Sequence, residues 1–343
     1  MTQVRLGRKI PPAFSLDVEF SIPPGVTALY GPPEAGKTLI LESIAGLTLP
    51  DSGRILLDDA ILFDAEAGVD VPARIRHCGY VGQHDALFPH MTLRQNVAFP
   101  ARCWPRLERR RRVAEMIEKF QLTDAASSRP RELSPAQKLR GAIARALVGA
   151  PKLLLLDDRA IDEPLLREVR AASPAAVLLV ARDLDLCCAA ADQLIVLAAG
   201  RIAQRGAPRQ VASQPESVDA ARLLGYPNLF SGTIAALDPG RDSSRLEFAD
   251  FALTGPYLPG HFRGDRVSAA IRAEDLRVHS GGLEPPPNSV SAQLVRVSHG
   301  ARAVRLEFSS GIFADVSREE FARQKDNRTW QVEFPPEALR IIS

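Results

Sequence analysis

The sequence lacks any apolar run long enough to cross a membrane. Its longest runs, at residues 175–181 and 194–199, are far shorter than the roughly 20 residues that span a bilayer. It also lacks a basic and then apolar leader at its start, so we expect a cytoplasmic protein. If such a chain works at a membrane, it has to dock onto another protein there.

The sequence also has little net charge and few cysteines. The 43 basic and 41 acidic residues leave a net charge of +2, which gives no argument for nucleic acid as a partner. The four cysteines have no metal-ligand spacing, and we expect the adjacent Cys187 and Cys188 to be buried free thiols. With 45% hydrophobic and 24% charged residues, the 343-residue chain resembles ordinary globular proteins and is long enough for two domains.

The residue pattern changes near position 226. Before it, β-branched runs alternate with helical stretches, which predicts a mixed α/β domain over residues 1–225. Among its predicted strands are Val26–Tyr30, Cys78–Val81 and residues 153–157. The last of these is a continuous apolar run ending in a carboxylate, which is typical of a strand buried on both faces.

Residues 226–343 have a different pattern. Short alternating segments separated by Gly, Pro, Asn and Ser turns predict a small all-β domain or barrel. Residues 230–278 and 290–342 contain comparable runs of predicted strands. This weak likeness is the basis for a hypothesis of two tandem modules.

The clearest chemical signal is an eight-residue segment, here called the P-loop: Gly31, Pro32, Pro33, Glu34, Ala35, Gly36, Lys37 and Thr38. Two glycines followed by Lys and Thr fit the phosphate-binding pattern, and the segment lies between a predicted strand and a predicted helix. Backbone N–H groups and the helix start would cradle phosphates. Lys37 would reach the β- and γ-phosphates, and Thr38 would bind Mg²⁺. The competing interpretation, a Gly/Pro turn with an incidental lysine, is the weaker one.

Two carboxylates follow the buried strand at residues 153–157. Asp157, at the strand's end, is suited to hold the metal ion directly or through water. Asp158, next to it, is a candidate to orient or deprotonate an attacking water. The alternative is a strand ending in two solvated acids, which the P-loop makes less attractive.

Between these two segments lie further motifs, in the expected order. They are Gln83, then Leu133-Ser134-Pro135-Ala136-Gln137, then Ala144-Arg145-Ala146-Leu147. With them, residues 1–215 resemble the ATP-binding cassette ATPases, which implies a P-loop NTPase fold. The resemblance implies that Gln83 senses nucleotide and metal, and that Thr38, Gln83 and Asp157 hold Mg²⁺. It also implies a helical subdomain at about residues 84–135 that docks to membrane subunits.

The same resemblance assigns Ser134 and Gln137 to the signature motif, which closes over ATP held by a partner subunit. The closest likeness is to the ATP-binding subunits of molybdate importers, which carry a C-terminal pair of small OB-like, oxyanion-binding β modules. It implies a homodimer beneath two membrane-spanning permease subunits, peripheral on the inner face of the cell membrane. Sulfate, iron and sugar importers have related layouts.

Four departures from the family pattern fall on the chemistry. Pro33 and Glu34 replace small residues of the P-loop, so one N–H is lost and a negative charge is added. Pro135 and Ala136 replace both signature glycines. The others are Asp158 in place of the catalytic glutamate and Arg182 in place of a histidine near the γ-phosphate.

The matching motifs and the four departures together lead to two main hypotheses. The first is an ATPase with Asp158, Gln83 and Arg182 in the catalytic site, whose cycle drives the import of an oxyanion, most readily molybdate. The second is a degenerate cassette that binds nucleotide, with little hydrolysis, as a regulatory or partner subunit. A cytosolic protein that stores or senses oxyanions through its β modules is a third alternative.

Overall fold

The computed structural model describes residues 1–10, 14–83, 87–157, 160–280, 285–324 and 329–342. Its contacts divide the chain into two compact units, Met1–Ser213 and Gln214–Ser343. This division falls earlier in the chain than the boundary predicted between residues 225 and 226. The physical reason is the helix Val218–Leu223, which packs against strands of the second unit.

The first unit contains helices and strands in alternation. Its strands are β1 Thr2–Ile10, β2 Phe14–Ile22, β3 Val26–Tyr30, β4 Ser52–Leu57, β5 Ala60–Asp64, β6 Val69–Asp70, β7 Cys78–Val81, β8 Leu153–Leu156, β9 Ala176–Val180, β10 Gln193–Ala198 and β11 Arg201–Gly206. Its α-helices are α1 Lys37–Ala45, α2 Leu93–Ala98, α3 Arg106–Lys119, α4 Pro135–Leu147, α5 Glu163–Ala172, α6 Leu184–Ala190 and α7 Pro208–Ser213. Short 3-10 helices lie at Ala73–Ile75, Pro100–Cys103 and Pro130–Glu132.

A six-stranded sheet forms the centre of this unit, in the order β11-β10-β3-β9-β8-β7. Neighbouring strands from β10 to β7 are parallel, and only β11 at one edge is antiparallel. All four residues of β8 are buried, as expected for an apolar run covered on both faces. Six residues, 31–36, separate the end of β3 from the start of α1, so the P-loop connects the two.

A second sheet, β2-β1-β4-β5-β6, is antiparallel and covers one side of the unit. Its strands alternate buried and exposed residues, as in β2, where Leu16, Val18 and Phe20 are buried. These side chains pack in one core with α1 and with residues of the central sheet. The core therefore holds α1, and with it the start of that helix, in a fixed position.

Helices α2, α3 and α4 pack against one another and form the helical region of the unit. The apolar residues Val113, Met116, Ile117 and Phe120 recur at helical spacing, and all four are buried. The rest of α3 is rich in arginine. Among the helices of the described residues, none is both long and apolar enough to cross a membrane.

The second unit is mostly β-structure, as predicted. Its helices are α8 Val218–Leu223 and α9 Arg318–Gln324, with 3-10 turns at Pro239–Arg241 and Ala273–Asp275. Its strands are β12 Asn228–Asp238, β13 Ser243–Glu247, β14 Ala252–Pro256, β15 Arg266–Ile271, β16 Arg277–Ser280, β17 Ser289–His299, β18 Val304–Phe308, β19 Phe313–Val316, β20 Thr329–Glu333 and β21 Arg340–Ile342.

These strands form two five-stranded sheets with matching orders, β14-β13-β12-β15-β21 and β19-β18-β17-β20-β16. Each half of the unit thus supplies four strands to one sheet and its fifth strand to the other. A register shift lies at the same place in both long strands, between Ile234 and Ala236 in β12 and between Leu294 and Arg296 in β17. The tetrapeptide Arg-Leu-Glu-Phe also occurs twice, at 245–248 and 305–308.

Two asparagines occupy equivalent places at the start of these long strands. The Asn228 amide donates to the Phe313 carbonyl at 2.8 Å and accepts from the Phe313 N–H at 2.7 Å. Asn288 makes the same pair of bonds to Thr254, at 3.0 Å and 2.5 Å. Each asparagine therefore ties the first strand of one half to the third strand of the other.

Candidate functional site

The loops that follow four neighbouring parallel strands supply the predicted site residues. β3, β9, β8 and β7 lie side by side, so their carboxyl ends share one edge of the sheet. The P-loop follows β3, Arg182 follows β9, Asp157 follows β8 and Gln83 follows β7. Open parallel sheets bind ligands at this edge, because the loops there converge while the strands hold their positions.

The P-loop needs both of its glycines for space. A side chain on Gly31 would place its Cβ 2.3 Å from the Leu197 carbonyl oxygen. Gly36 caps α1 with a φ of 97°, and a Cβ there would lie 2.9 Å from Leu16 and 3.0 Å from the Phe14 ring. The backbone therefore passes closely over the sheet, with its chain turning into the start of α1.

Lys37 folds back over this loop. Its ammonium group donates to the carbonyl oxygens of Gly31 at 2.8 Å and Pro32 at 2.6 Å. Burial of the half-buried side chain lowers the pKa of Lys37 below 10.5, and the nearby Asp157 carboxylate opposes this shift. The ammonium is thus held over the loop by two neutral carbonyls, which a phosphate would outcompete as a charged acceptor.

Thr38, Gln83 and Asp157 form one hydrogen-bonded cluster. The Thr38 hydroxyl donates to Asp157 Oδ2 at 2.5 Å. The Gln83 amide lies 3.1 Å from the Thr38 hydroxyl and 3.1 Å from Asp157 Oδ1. Mg²⁺ takes hydroxyl, carboxylate and amide oxygens as ligands in proteins, so Thr38 and Asp157 fit that ion as they stand. Gln83 faces the cluster with its amide nitrogen, and its oxygen fits the ion only once the amide is turned over.

The departures in the P-loop have visible consequences. Pro32 and Pro33 offer no N–H, and the Ala35 N–H is directed to the Pro32 carbonyl at 3.3 Å. Glu34 is exposed and has a φ of 65°, which is uncommon for a residue with a side chain. The donors left for phosphate therefore lie mainly at the start of α1, where the first turn carries no acidic residue.

Ser134 and Gln137 sit on the first turn of α4. The Gln137 N–H donates to the Ser134 hydroxyl at 3.2 Å, and the Ser134 N–H donates to the Gln137 side chain at 2.9 Å. This capping box satisfies the helix start with Pro135 as its first residue. No hydrogen bond within the described ranges joins these two residues to the P-loop, so the structure does not bring them into the same cluster.

The two remaining catalytic candidates are placed differently. Asp158 lies outside the described residues. Arg182 is exposed and lines a cavity of about 450 Å³ together with Asp162 and Asp183. The structure therefore places Arg182 after a strand at the same sheet edge as Thr38, Gln83 and Asp157, and among the described residues no hydrogen bond or ion pair joins it to them.

Two aromatic residues near the site carry information that the sequence did not give. The half-buried Phe14 ring packs on the core and approaches Gly36. Burial, with help from the negative charges of Glu42 and Asp157, raises the pKa of Tyr80 to about 12. In the sequence, only the position of Tyr80 on the predicted strand β7, three residues before Gln83, could have indicated that it lies near the site.

A family model described as "ABC transporter" matches residues 16–160, a span that includes the P-loop and Asp157. The chain is 36% identical to the molybdenum import ATP-binding protein ModC of Rhodospirillum rubrum, over 80% of this chain and 75% of that protein. It is 32% identical to the sulfate/thiosulfate import ATP-binding protein CysA of Nitrosomonas europaea, over 95% of this chain and 92% of that protein. The chain belongs to the ABC transporter ATP-binding family.

Relatives that are named for other transported substances have a similar sequence identity to this chain. The spermidine/putrescine import ATP-binding protein PotA of Vibrio cholerae is 36% identical over 73% of this chain and 67% of that protein. Among solved structures, cbiO1 from Clostridium perfringens is 26% identical with a TM-score of 0.54, covering 64% of this chain and 92% of that chain. The predicted family and P-loop fold class are thus confirmed, and the cassette is an ATPase that uses ATP with Mg²⁺.

Proposed function

We propose that this cassette is the energy-coupling subunit of an oxyanion importer, with molybdate as the transported ion. The observation that carries the proposal is the cluster of Thr38, Gln83 and Asp157, in which the Thr38 hydroxyl and the Asp157 carboxylate supply oxygen atoms that suit the Mg²⁺ of MgATP and the Gln83 amide nitrogen donates to both. Molybdenum import proteins are among its relatives, and the duplicated β unit matches the modules expected for an oxyanion importer.

Each site residue has a role in this proposal. Lys37 moves from the loop carbonyls onto the β- and γ-phosphates, and Thr38 and Asp157 orient the metal. Bound Mg²⁺ neutralises phosphate charge during hydrolysis. Asp158 would orient the attacking water, and Gln83 would contact that water and help to hold Mg²⁺. Arg182 stabilises negative charge at the γ-phosphate.

The assembly is part of the same proposal. Ser134 and Gln137 form the capping box of α4, and no hydrogen bond among the described residues ties them to the P-loop, which supports a role on ATP held by a second subunit. We infer a homodimer beneath two permease subunits on the inner face of the membrane, with residues 1–225 as nucleotide-binding domain. The helical subdomain at about residues 84–135 would contact the permease, and two tandem modules within 226–343 would bind oxyanion.

One set of observations favours the second candidate function, a nucleotide-binding partner subunit with little turnover. Pro33 supplies no donor, Glu34 adds negative charge beside the phosphates, and Pro135 occupies the signature helix start. Each change weakens the clamping of developing phosphoryl charge, which is the main source of catalysis in P-loop enzymes.

The deciding experiment measures ATP binding and ATP turnover by the purified full chain and by its Lys37→Ala and Asp158→Ala variants. For the first function, the parent chain turns ATP over and both variants lose this turnover. ATP binding by the parent with turnover no higher than that of the Lys37 variant would establish the partner-subunit function instead. Equilibrium binding of molybdate, sulfate and spermidine to the same protein then tests the cargo, and preference for spermidine contradicts an oxyanion importer.

A further inference from the structure

Tyr80 lies on β7, three residues before Gln83 in the sequence. Its half-buried ring packs against the core that also contains the buried residues of α1. The ring extends along its own strand as far as Gly82, where an added Cβ would lie 3.1 Å from both Cε1 and the hydroxyl oxygen of Tyr80. The Tyr80 ring therefore fills the space in which another residue at position 82 would place its side chain.

The backbone of Gly82 and Gln83 has little other support. β7 is the edge strand of the central sheet, and among the described strands it pairs only with β8. The Asp157 N–H donates to the Val81 carbonyl at 2.8 Å, where the pairing ends. Among the described residues, neither Gly82 nor Gln83 forms a backbone hydrogen bond after that point. The chain beyond Val81 therefore depends on side-chain contacts for its position.

Gln83 requires a fixed backbone because its side chain bridges two elements. Its amide nitrogen lies 3.1 Å from the Thr38 hydroxyl on α1 and 3.1 Å from Asp157 Oδ1 after β8. A side chain that meets both atoms at hydrogen-bond distance tolerates little movement of its own backbone. Tyr80 touches both sides of this arrangement, since its ring contacts the core beside α1 and also Gly82.

The contact between Tyr80 and Gly82 is one of packing. Among the described residues, the Tyr80 hydroxyl forms no hydrogen bond. Burial and the negative charges of Glu42 and Asp157 raise the pKa of Tyr80 to about 12, so the phenol is neutral at physiological pH. A phenylalanine would keep Cε1 and Cζ, which lie 3.1 Å and 3.3 Å from the added Cβ. The shape of the ring is therefore what supports the backbone at Gly82.

We propose that Tyr80 is a positioning residue for Gln83, whose ring lies between the α1 core and Gly82 and so sets the distance of the Gln83 side chain from Thr38 and Asp157. This inference rests on the proposed function, which gives Gln83 its contacts with Mg²⁺ and the attacking water. It applies to either orientation of the Gln83 amide, because the ring acts on the backbone. The competing interpretation is a core tyrosine that stabilises β7 without affecting Gln83.

The test compares single and double variants of the full chain. Tyr80→Ala removes the ring, and Tyr80→Phe keeps the ring without its hydroxyl. Cys78→Ala is the matched control, because Cys78 lies on the same strand and packs against the same core but is two residues further from Gln83. Gln83→Ala and Tyr80→Ala/Gln83→Ala complete a double-mutant cycle. Urea unfolding of each variant shows whether it folds.

The first measurement needs no nucleotide. The NMR signal of the Gln83 side-chain amide is assigned by its absence from the spectrum of Gln83→Ala. We expect this signal to move towards that of a solvent-exposed amide in Tyr80→Ala and to stay in place in Tyr80→Phe and Cys78→Ala. An unmoved signal in Tyr80→Ala, or an equal movement in Cys78→Ala, overturns the proposal.

The second measurement is ATP affinity in Mg²⁺ and in EDTA, and the ratio of the two reports the metal-dependent part. We expect this ratio to fall about three- to tenfold in Tyr80→Ala, with the affinity in EDTA unchanged. The double variant should match Gln83→Ala, because Tyr80 acts through Gln83. Losses that multiply in the double variant, or an equal loss in EDTA, overturn the proposal. A parent chain that binds no ATP contradicts the proposed function instead, and the amide signal then still decides the role of Tyr80.

Discussion

The Thr38 hydroxyl and the Asp157 carboxylate lie 2.5 Å apart although 119 positions separate them in the chain. Thr38 lies in the first turn of α1, which follows β3, and Asp157 directly follows β8; these two strands both flank β9. The parallel pairing of β3, β9 and β8 brings their carboxyl ends to one edge. The order of the strands in the sheet therefore assembles this hydrogen-bonded pair from distant parts of the chain.

Replacing Asp157 by Asn tests this cluster directly. The amide keeps the shape of the side chain but removes the negative charge, so we expect Mg²⁺-dependent ATP affinity to fall roughly 10- to 100-fold. Titration of a fluorescent ATP analogue with Mg²⁺ and with EDTA measures the effect. The exposed Asp124→Asn is the matched control and should bind as the parent does. An equal loss in EDTA would contradict a metal role for Asp157.

Gly36 offers a test of the P-loop backbone. Alanine at this position has to adopt a φ of 97° and to place its Cβ 2.9 Å from Leu16, so we expect a loss of about 1–3 kcal/mol in the free energy of unfolding. Gly149→Ala is the control, because nothing lies within 4 Å of the added Cβ. Urea unfolding of both variants makes the comparison. Equal stability of the two would show that the P-loop relaxes without cost.

Local patterns in the sequence were sufficient to predict much of the fold and part of the site. Apolar runs gave β3 and β7 with their observed bounds, and the P-loop spacing placed Lys37 and Thr38 at the start of α1. Long-range pairing was not predictable, because the exchange of β16 and β21 between sheets depends on tertiary contacts.

Lys37 provides a prediction that depends on pH. Its pKa in the folded chain is below 10.5, so folding releases its proton in the range just below that value. The unfolded chain then binds more protons than the folded one, and the Lys37 contribution to stability rises with pH in this window. Phosphate charge beside the ammonium reverses the shift, so ATP binding there takes up protons.

Calorimetry in two buffers with different ionisation enthalpies measures this proton uptake. We expect uptake by the parent chain as pH rises towards 10.5 and none by Lys37→Met, which keeps the length of the side chain without its charge. Proton uptake of equal size in the Met variant would assign the effect to another group. Uptake by neither protein would show that the ammonium does not move onto phosphate.

Asn228 tests the link between the two halves of the second unit. Its side chain is fully buried and bonds both the N–H and the carbonyl of Phe313. Asn228→Ala leaves both backbone groups without this partner, and we expect a loss of about 1–3 kcal/mol in the free energy of unfolding. Thr233→Ala on the same strand is the control for substitution in β12. Chemical unfolding followed by circular dichroism gives both values, and a neutral Asn228→Ala would contradict the bridging role.

The last prediction concerns Asp158, where the family resemblance has a glutamate. The aspartate side chain is shorter by one methylene, and a displacement of about 1 Å in a catalytic group can cost about a hundredfold in rate. We therefore expect Asp158→Glu to raise ATP turnover by up to about a hundredfold with little change in ATP affinity, since the change acts on the attacking water.

Steady-state ATPase assays of the parent, Asp158→Glu and Asp158→Asn make this comparison, with ATP binding measured in parallel. The Asn variant keeps the length of the aspartate and removes its charge, so it should fall below the parent if Asp158 acts on water. Turnover that rises in the Glu variant assigns the slow step to this carboxylate. If the Glu and Asn variants both match the parent, the limit lies with Pro33, Glu34 or Pro135 instead, and substitution of those residues by glycine becomes the route to faster hydrolysis.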